Sequence, residues 1–183
     1  MIRAFVAVVL LGTLIPEIEK VEARLPKTGL KPVKPAQVHI TLKFLGDVKE
    51  TQVSPISIAL SQVACRSFDA RVKGVGVFPG SRAPRVVWLG AEGNFEELHA
   101  EVERLLEPLG FGKDDRKFVP HATLARIKFL KKEDSLRLGE ALSDLSGVDM
   151  GTIRVGSISL KKSTLTPGGP VYETLKDVKL RDA

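Results

Sequence analysis

The chain has 183 residues, of which 43% are apolar and 27% charged. That composition supports one compact domain, or two small lobes sharing a core, and excludes a disordered or low-complexity chain. A net charge of +6 and a pI near 9.5 favour anionic partners, nucleic acid among them, while a single cysteine, Cys65, excludes an internal disulfide framework.

The first apolar stretch, Ala4–Ile15, follows Arg3 in the manner of a signal peptide. Pro16, Glu17 and Glu19 come directly after it without a clear small-residue cleavage site, and the run is too short to span a bilayer. Ile2–Val9 therefore reads as a buried strand and Pro16–Leu25 as a helix, with cytoplasmic residence and no membrane partner as the expectation. The stretch Pro26–Pro35, carrying Lys27, Lys31 and Lys34, reads as a solvated connector, with an RNA backbone contact or a mobile rim on the cleft as the functional readings. Residues rich in β-branched types mark strands at Val38–Leu45, Phe68–Phe78, Arg85–Gly90, Phe118–Ala125, Thr152–Lys161 and Val171–Leu175. Apolar residues three and four apart mark helices over Thr51–Val63, Phe95–Leu109 and Glu133–Leu145. Thr166–Pro170, with Gly168 and Gly169, reads as a turn. The order β-α-β-α-β-β followed by α-β-α-β-β looks like two related halves. The expected fold is a duplicated α+β architecture over 1–183, a single bilobal domain with two antiparallel sheets facing a central cleft and helices outside.

The chain has three histidines. Two occupy matching frames, Val38-His39-Ile40-Thr41-Leu42 and Pro120-His121-Ala122-Thr123-Leu124. Side chains alternate along a strand, so His39 and Thr41 share one face while Val38, Ile40, Leu42 and Phe44 share the other. His121 and Thr123 repeat the design, with Ala122 and Leu124 opposite. Paired imidazoles suit metal-free phosphodiester hydrolysis: a neutral ring takes a proton from water and a protonated ring gives one to the departing sugar oxygen. The threonine hydroxyls are placed to hold non-bridging oxygens. His99, beside an apolar helix stripe, reads as structural. No His-x-x-x-His, cysteine pair or adjacent carboxylate suggests a metal, no P-loop or dinucleotide fingerprint suggests a nucleotide cofactor, and none is expected.

On these motifs the chain resembles the two-histidine (2H) phosphoesterase superfamily, and within it the RNA 2′,3′-cyclic phosphodiesterases, also called 2′-5′ RNA ligases. Arg3-Ala4-Phe5-Val6-Ala7 is similar to that family's first strand. His39-Ile40-Thr41-Leu42-Lys43-Phe44-Leu45-Gly46 and His121-Ala122-Thr123-Leu124-Ala125-Arg126 are similar to its two signatures. Arg85-Val86-Val87-Trp88-Leu89-Gly90, Leu160-Lys161-Lys162-Ser163 and Tyr172 extend the likeness. The apolar Val8–Leu14 departs from the family's polar turn and predicts altered local packing or a self-association patch. The resemblance implies hydrolysis of an RNA 2′,3′-cyclic phosphate to a 2′-phosphomonoester, with His39 as proton donor and His121 as proton acceptor. It also implies reversible 2′-5′ RNA ligation in the same site as an alternative; a small-molecule cyclic nucleotide is another candidate substrate. RNA with a cyclic phosphate end, tRNA fragments included, is the expected partner, and no obligate protein partner is expected. Thr41, Thr123 and Arg126 are the candidate phosphate ligands. Strict alternation turns Arg126 away from His121, so it reaches phosphate only if the strand ends or twists there. Trp88 and Phe44 fall to the core by their faces; Phe44, Ser163 and Tyr172 are kept as cleft candidates.

Overall fold

Runs of β-branched and apolar residues dominate this chain, and most of them become strands. The computed structural model describes residues 1–10, 12–167 and 169–182. In chain order the elements are β1 (Ile2–Val9), α1 (Ile15–Arg24), β2 (Leu30–Pro32), β3 (His39–Val48), α2 (Glu50–Leu60), β4 (Phe68–Phe78), β5 (Val86–Glu92), α3 (Phe95–Leu106), β6 (His121–Ile127), α4 (Lys132–Leu145), β7 (Asp149–Val155), β8 (Ser157–Thr166) and β9 (Gly169–Lys179). The fold is α+β, as expected.

The strands form one curled antiparallel sheet in the order β7-β4-β5-β6-β3-β1-β8-β9, with β2 added to β6. Its two halves, β7-β4-β5-β6 and β3-β1-β8-β9, meet at a single pairing, Ile40 with Ala122. The two expected sheets are thus joined by one bridge between the histidine motifs. The halves are not consecutive stretches of chain: β1, β3, β8 and β9 come from both ends, and β4 to β7 from the middle.

Three details differ from the sequence expectation. The run Thr152–Lys161 is two strands, because the chain crosses at Gly156 from β7, paired with β4, to β8, paired with β1. The connector Pro26–Pro35 holds a short strand, β2, whose three residues pair with Ala125–Ile127. Leu10 and Leu14 are buried, so the described part of Val8–Leu14 goes largely into packing, although Val9 is half-exposed; Leu11 lies outside the described residues. Gly168 of the expected Thr166–Pro170 turn also lies outside them, while Thr166 Oγ1 donates to the Gly169 carbonyl at 2.6 Å.

Ile40, Leu42, Ala122 and Leu124 are all at most 2% exposed and lie in one core cluster with Leu98, Val102 and Leu106 of α3. That leaves the opposite face of β3 and β6 for the histidines. Among the described residues no helix is long and apolar enough to cross a membrane.

Candidate active site

The bridge between Ile40 and Ala122 decides the geometry. Directly opposed residues of an antiparallel pair point to the same side, and their neighbours to the other. Ile40 and Ala122 point into the core, so His39, Thr41, His121 and Thr123 all point to the opposite face. All four are half-buried. The bridge is also a pseudo-two-fold centre, with one histidine just before it on each strand.

Both imidazoles are held the same way. His39 Nδ1 lies 2.8 Å from the Gln37 carbonyl and His121 Nδ1 lies 2.7 Å from the Val119 carbonyl. A carbonyl only accepts, so Nδ1 carries the hydrogen in both rings and Nε2 is left free to exchange a proton with a ligand. Aromatic side chains fix the ring planes. Phe5 stacks on His39 at 4.9 Å and Tyr172 meets it edge-on at 5.0 Å. On the other half, Phe78 meets His121 edge-on at 4.9 Å, with Trp88 at 6.5 Å.

A β-bulge in each motif changes the expected faces. Val6 pairs with Lys43 and Ala7 with Thr41, which leaves Leu42 as the extra residue. Val87 pairs with Ala125 and Trp88 with Thr123, which leaves Leu124 as the extra residue. After a bulge the alternation resumes one residue out of step. Lys43 and Ala125 therefore enter the core, while Phe44 and Arg126 return to the histidine face. Phe44 is 71% exposed, so its assignment to the core by alternation is corrected. The same correction brings Arg126 to the side of His121 and Thr123. Trp88 is corrected as well: it is opposite Thr123, half-buried, and stacked on Phe78 at 5.1 Å.

The other candidates join this face through their partners. Lys161 is opposite Phe5, Ser163 is opposite both Arg3 and Tyr172, and Lys31 is opposite Arg126. Lys161 Nζ donates to Thr174 Oγ1 at 2.8 Å. Phe5 and Phe78 were missed as site residues because their strands read as mixed apolar runs. Lys31 was named only among the lysines of its connector and Lys161 only within a family-like run, since lysines in a loop or at a strand end carry no periodicity signal. Burial pushes the His39 pKa below its ordinary 6.5 against the Gln37 hydrogen bond, and the Lys161 and Arg126 cations push it lower. Burial raises the Tyr172 hydroxyl, which Arg126 opposes. The face is thus a cationic, aromatic-walled strip with two orientated imidazoles and two hydroxyls, suited to an anion that must give and receive protons.

His99 lies outside this strip. It is buried in α3 and stacks on Phe118 at 4.2 Å, in keeping with a structural role.

A family model described as LigT-like phosphoesterase matches residues 12–88 and 90–172, one histidine motif in each segment. A protein from Aeropyrum pernix named RNA 2′,3′-cyclic phosphodiesterase is 40% identical over 153 residues, covering 82% of this chain and 86% of that protein. One of the same name from Methanocaldococcus jannaschii is 35% identical over 176 residues, covering 96% and 99%. A crystal structure of a protein from Thermus thermophilus superposes with a TM-score of 0.83 at 32% identity, covering 98% of each chain.

Proposed function

From its membership of the LigT-like phosphoesterase family, we infer that this chain is an enzyme that hydrolyses RNA 2′,3′-cyclic phosphate ends to 2′-phosphomonoesters, in one bilobal domain and without a metal. The observation that carries the reading is the placement of His39, Thr41, His121 and Thr123 on one face about the Ile40–Ala122 bridge. Relatives at 35–40% identity bear the name of that activity.

Water attacks phosphorus and the bond to the sugar 3′ oxygen breaks. Nε2 of neutral His121 takes the water proton; Nε2–H of protonated His39 supplies the proton to the 3′ oxygen. The products are a 3′ hydroxyl and a 2′-phosphomonoester, and the two rings reset by exchange with solvent. Burial and the nearby Lys161 and Arg126 make the His39 imidazolium a willing donor. The anionic phosphate, placed beside those cations, offsets them and favours protonated His39 in the complex. Thr41, Thr123 and Arg126 hold the non-bridging oxygens, and Arg126 does so as a planar donor fork. Phe44, Ser163 and Tyr172 border the substrate. The basic charge suits an RNA end, including the cleaved ends of tRNA, in the cytoplasm.

The test is product analysis on an oligoribonucleotide with a 2′,3′-cyclic phosphate, in excess chelator, with His39→Ala and His121→Ala alongside. Wild type should yield the 2′-phosphomonoester, and each variant should be slower by about 10²–10⁴-fold. Wild-type rates in either variant, a 3′-phosphomonoester product, or activity lost to chelator and restored by a metal would overturn the reading. Adding an oligonucleotide with a 5′ hydroxyl measures 2′-5′ joining in the same site, and a mononucleoside cyclic phosphate measures the preference for RNA.

A further inference from the structure

We propose that Lys43 and Glu103 are positioning residues for His121: their buried ion pair ties the bulge of the first histidine motif to the loop that orients the second. The proposal rests on the catalytic reading of His121 given above.

Lys43 is 2% exposed, and its Nζ donates to Glu103 Oε1 at 2.8 Å. The same oxygen accepts the Asp114 backbone N–H at 2.8 Å, and Asp114 Oδ2 lies 3.7 Å from the Lys43 ammonium. His99 Nε2 is 3.9 Å from that oxygen, and its ring stacks on Phe118 at 4.2 Å with 10° between planes. Phe118 adjoins Val119, whose carbonyl takes the His121 Nδ1 hydrogen at 2.7 Å. The contacts therefore run from β3, through α3, to the loop over residues 110–120 and on to the catalytic ring.

The bulge itself does not require a cation. Its pseudo-two-fold mate places Ala125 in the equivalent slot, apolar and 1% exposed. An ammonium in that slot carries a desolvation cost that an apolar side chain would not, so the pair is poorly explained by stability alone. What it adds is direction: one carboxylate oxygen fixes both the residue that follows the Leu42 bulge and the backbone of the loop before His121. Burial pushes the Glu103 carboxyl up, but the Lys43 ammonium and the Asp114 N–H outweigh it, holding the carboxyl below its usual range. His99, Glu103 and Asp114 also present ligand atoms within 4.8 Å of one another. Of the Glu103 oxygens, Oε1 already accepts from the protein's own ammonium and an N–H.

The loop's work on His121 is to select the Nδ1–H tautomer, and side-chain ¹⁵N NMR reads that directly. The variants are Lys43→Met, Glu103→Gln and the pair together, in the full chain, with Lys43→Arg as the conservative control. At a pH above the histidine titration, His121 should move from the Nδ1–H form to a mixture in the first three, with His39 unchanged. On the cyclic-phosphate oligonucleotide kcat should fall about tenfold, about 1.4 kcal/mol in barrier, with KM unchanged, and Lys43→Arg should recover most of it. An unchanged His121 tautomer, an unchanged kcat, or equal shifts at both histidines would overturn the proposal. So would unfolding of all three variants, which would make the pair a stability element only. If the wild type does not hydrolyse the substrate, the proposed reaction fails, while the tautomer still decides whether the pair orients His121.

Discussion

His39 sits among groups that disfavour its charged form: burial first, then Lys161 and Arg126, with only the Gln37 carbonyl opposing them. Removing a cation should therefore raise its pKa. Lys161→Met is expected to shift the His39 NMR titration upward; a titration at or below the wild-type midpoint would count against Lys161 as a neighbour that acts on the ring. At this scale the sequence was most legible where a polar side chain stood on a β-branched strand. Alternation alone puts His39 with Thr41 and His121 with Thr123; that the two pairs share one face follows from the Ile40–Ala122 bridge. Lys43 was less legible: a lysine in a strand reads as exposed, and only its buried carboxylate partner explains its position.

At the scale of strands, the two bulges do most to shape the site, and neither has a residue signature. Leu42-Lys43 and Leu124-Ala125 look like ordinary steps of a strand, yet each delays the alternation by one. Phe44 tests the consequence. Truncating a core phenylalanine costs about 3–5 kcal/mol, whereas Phe44→Ala on the exposed face should change stability by no more than about 0.5 kcal/mol while raising KM for RNA. Urea melts and steady-state kinetics distinguish the two; a large loss of stability would return Phe44 to the core. The β4–β5 pair offers a second test. A Cβ on Gly76 would come within 2.3 Å of the Trp88 ring, which lies flat over it. Gly76→Ala should cost about 1–3 kcal/mol and change the emission of the chain's one tryptophan; unaltered emission and stability would mean the ring does not rest there. Short β2 escaped notice because three residues ending in Pro32 carry no periodicity, and β7 and β8 merged in the sequence because Gly156 alone separates them.

Across the whole molecule, titrations pull stability in two directions. His39 and His99 both have depressed pKa values, led by burial. The unfolded chain then binds more protons as pH falls, so their contribution is present above about 6.5 and is lost below it. Glu22 works the other way: burial, with Glu19 adding, pushes it up to about 7, so its contribution is lost as pH rises from the ordinary 4.5 through that value. Glu22→Gln removes the second trend. In that variant Tm should fall between about pH 7 and about pH 5, the histidine range; a flat or rising Tm would refute the assigned histidine shifts. The duplicated order of elements was legible because helices and strands alternate. The pairing of chain ends was not, since periodicity says nothing about which distant strands meet.

That pairing has a consequence for the order in which the protein is made. Strands β1 and β3 emerge early, but their half of the sheet waits for β8 and β9, which follow β4–β7 in the chain. The half built on β4, β5, β6 and β7 has all its strands sooner. Since long-range strand pairing is slow and domains assemble as their chain appears, the surroundings of His121 can form while His39 still lacks Lys161 and Tyr172. A nascent chain stalled before β8 would therefore carry His121 in organised surroundings and His39 in incomplete ones.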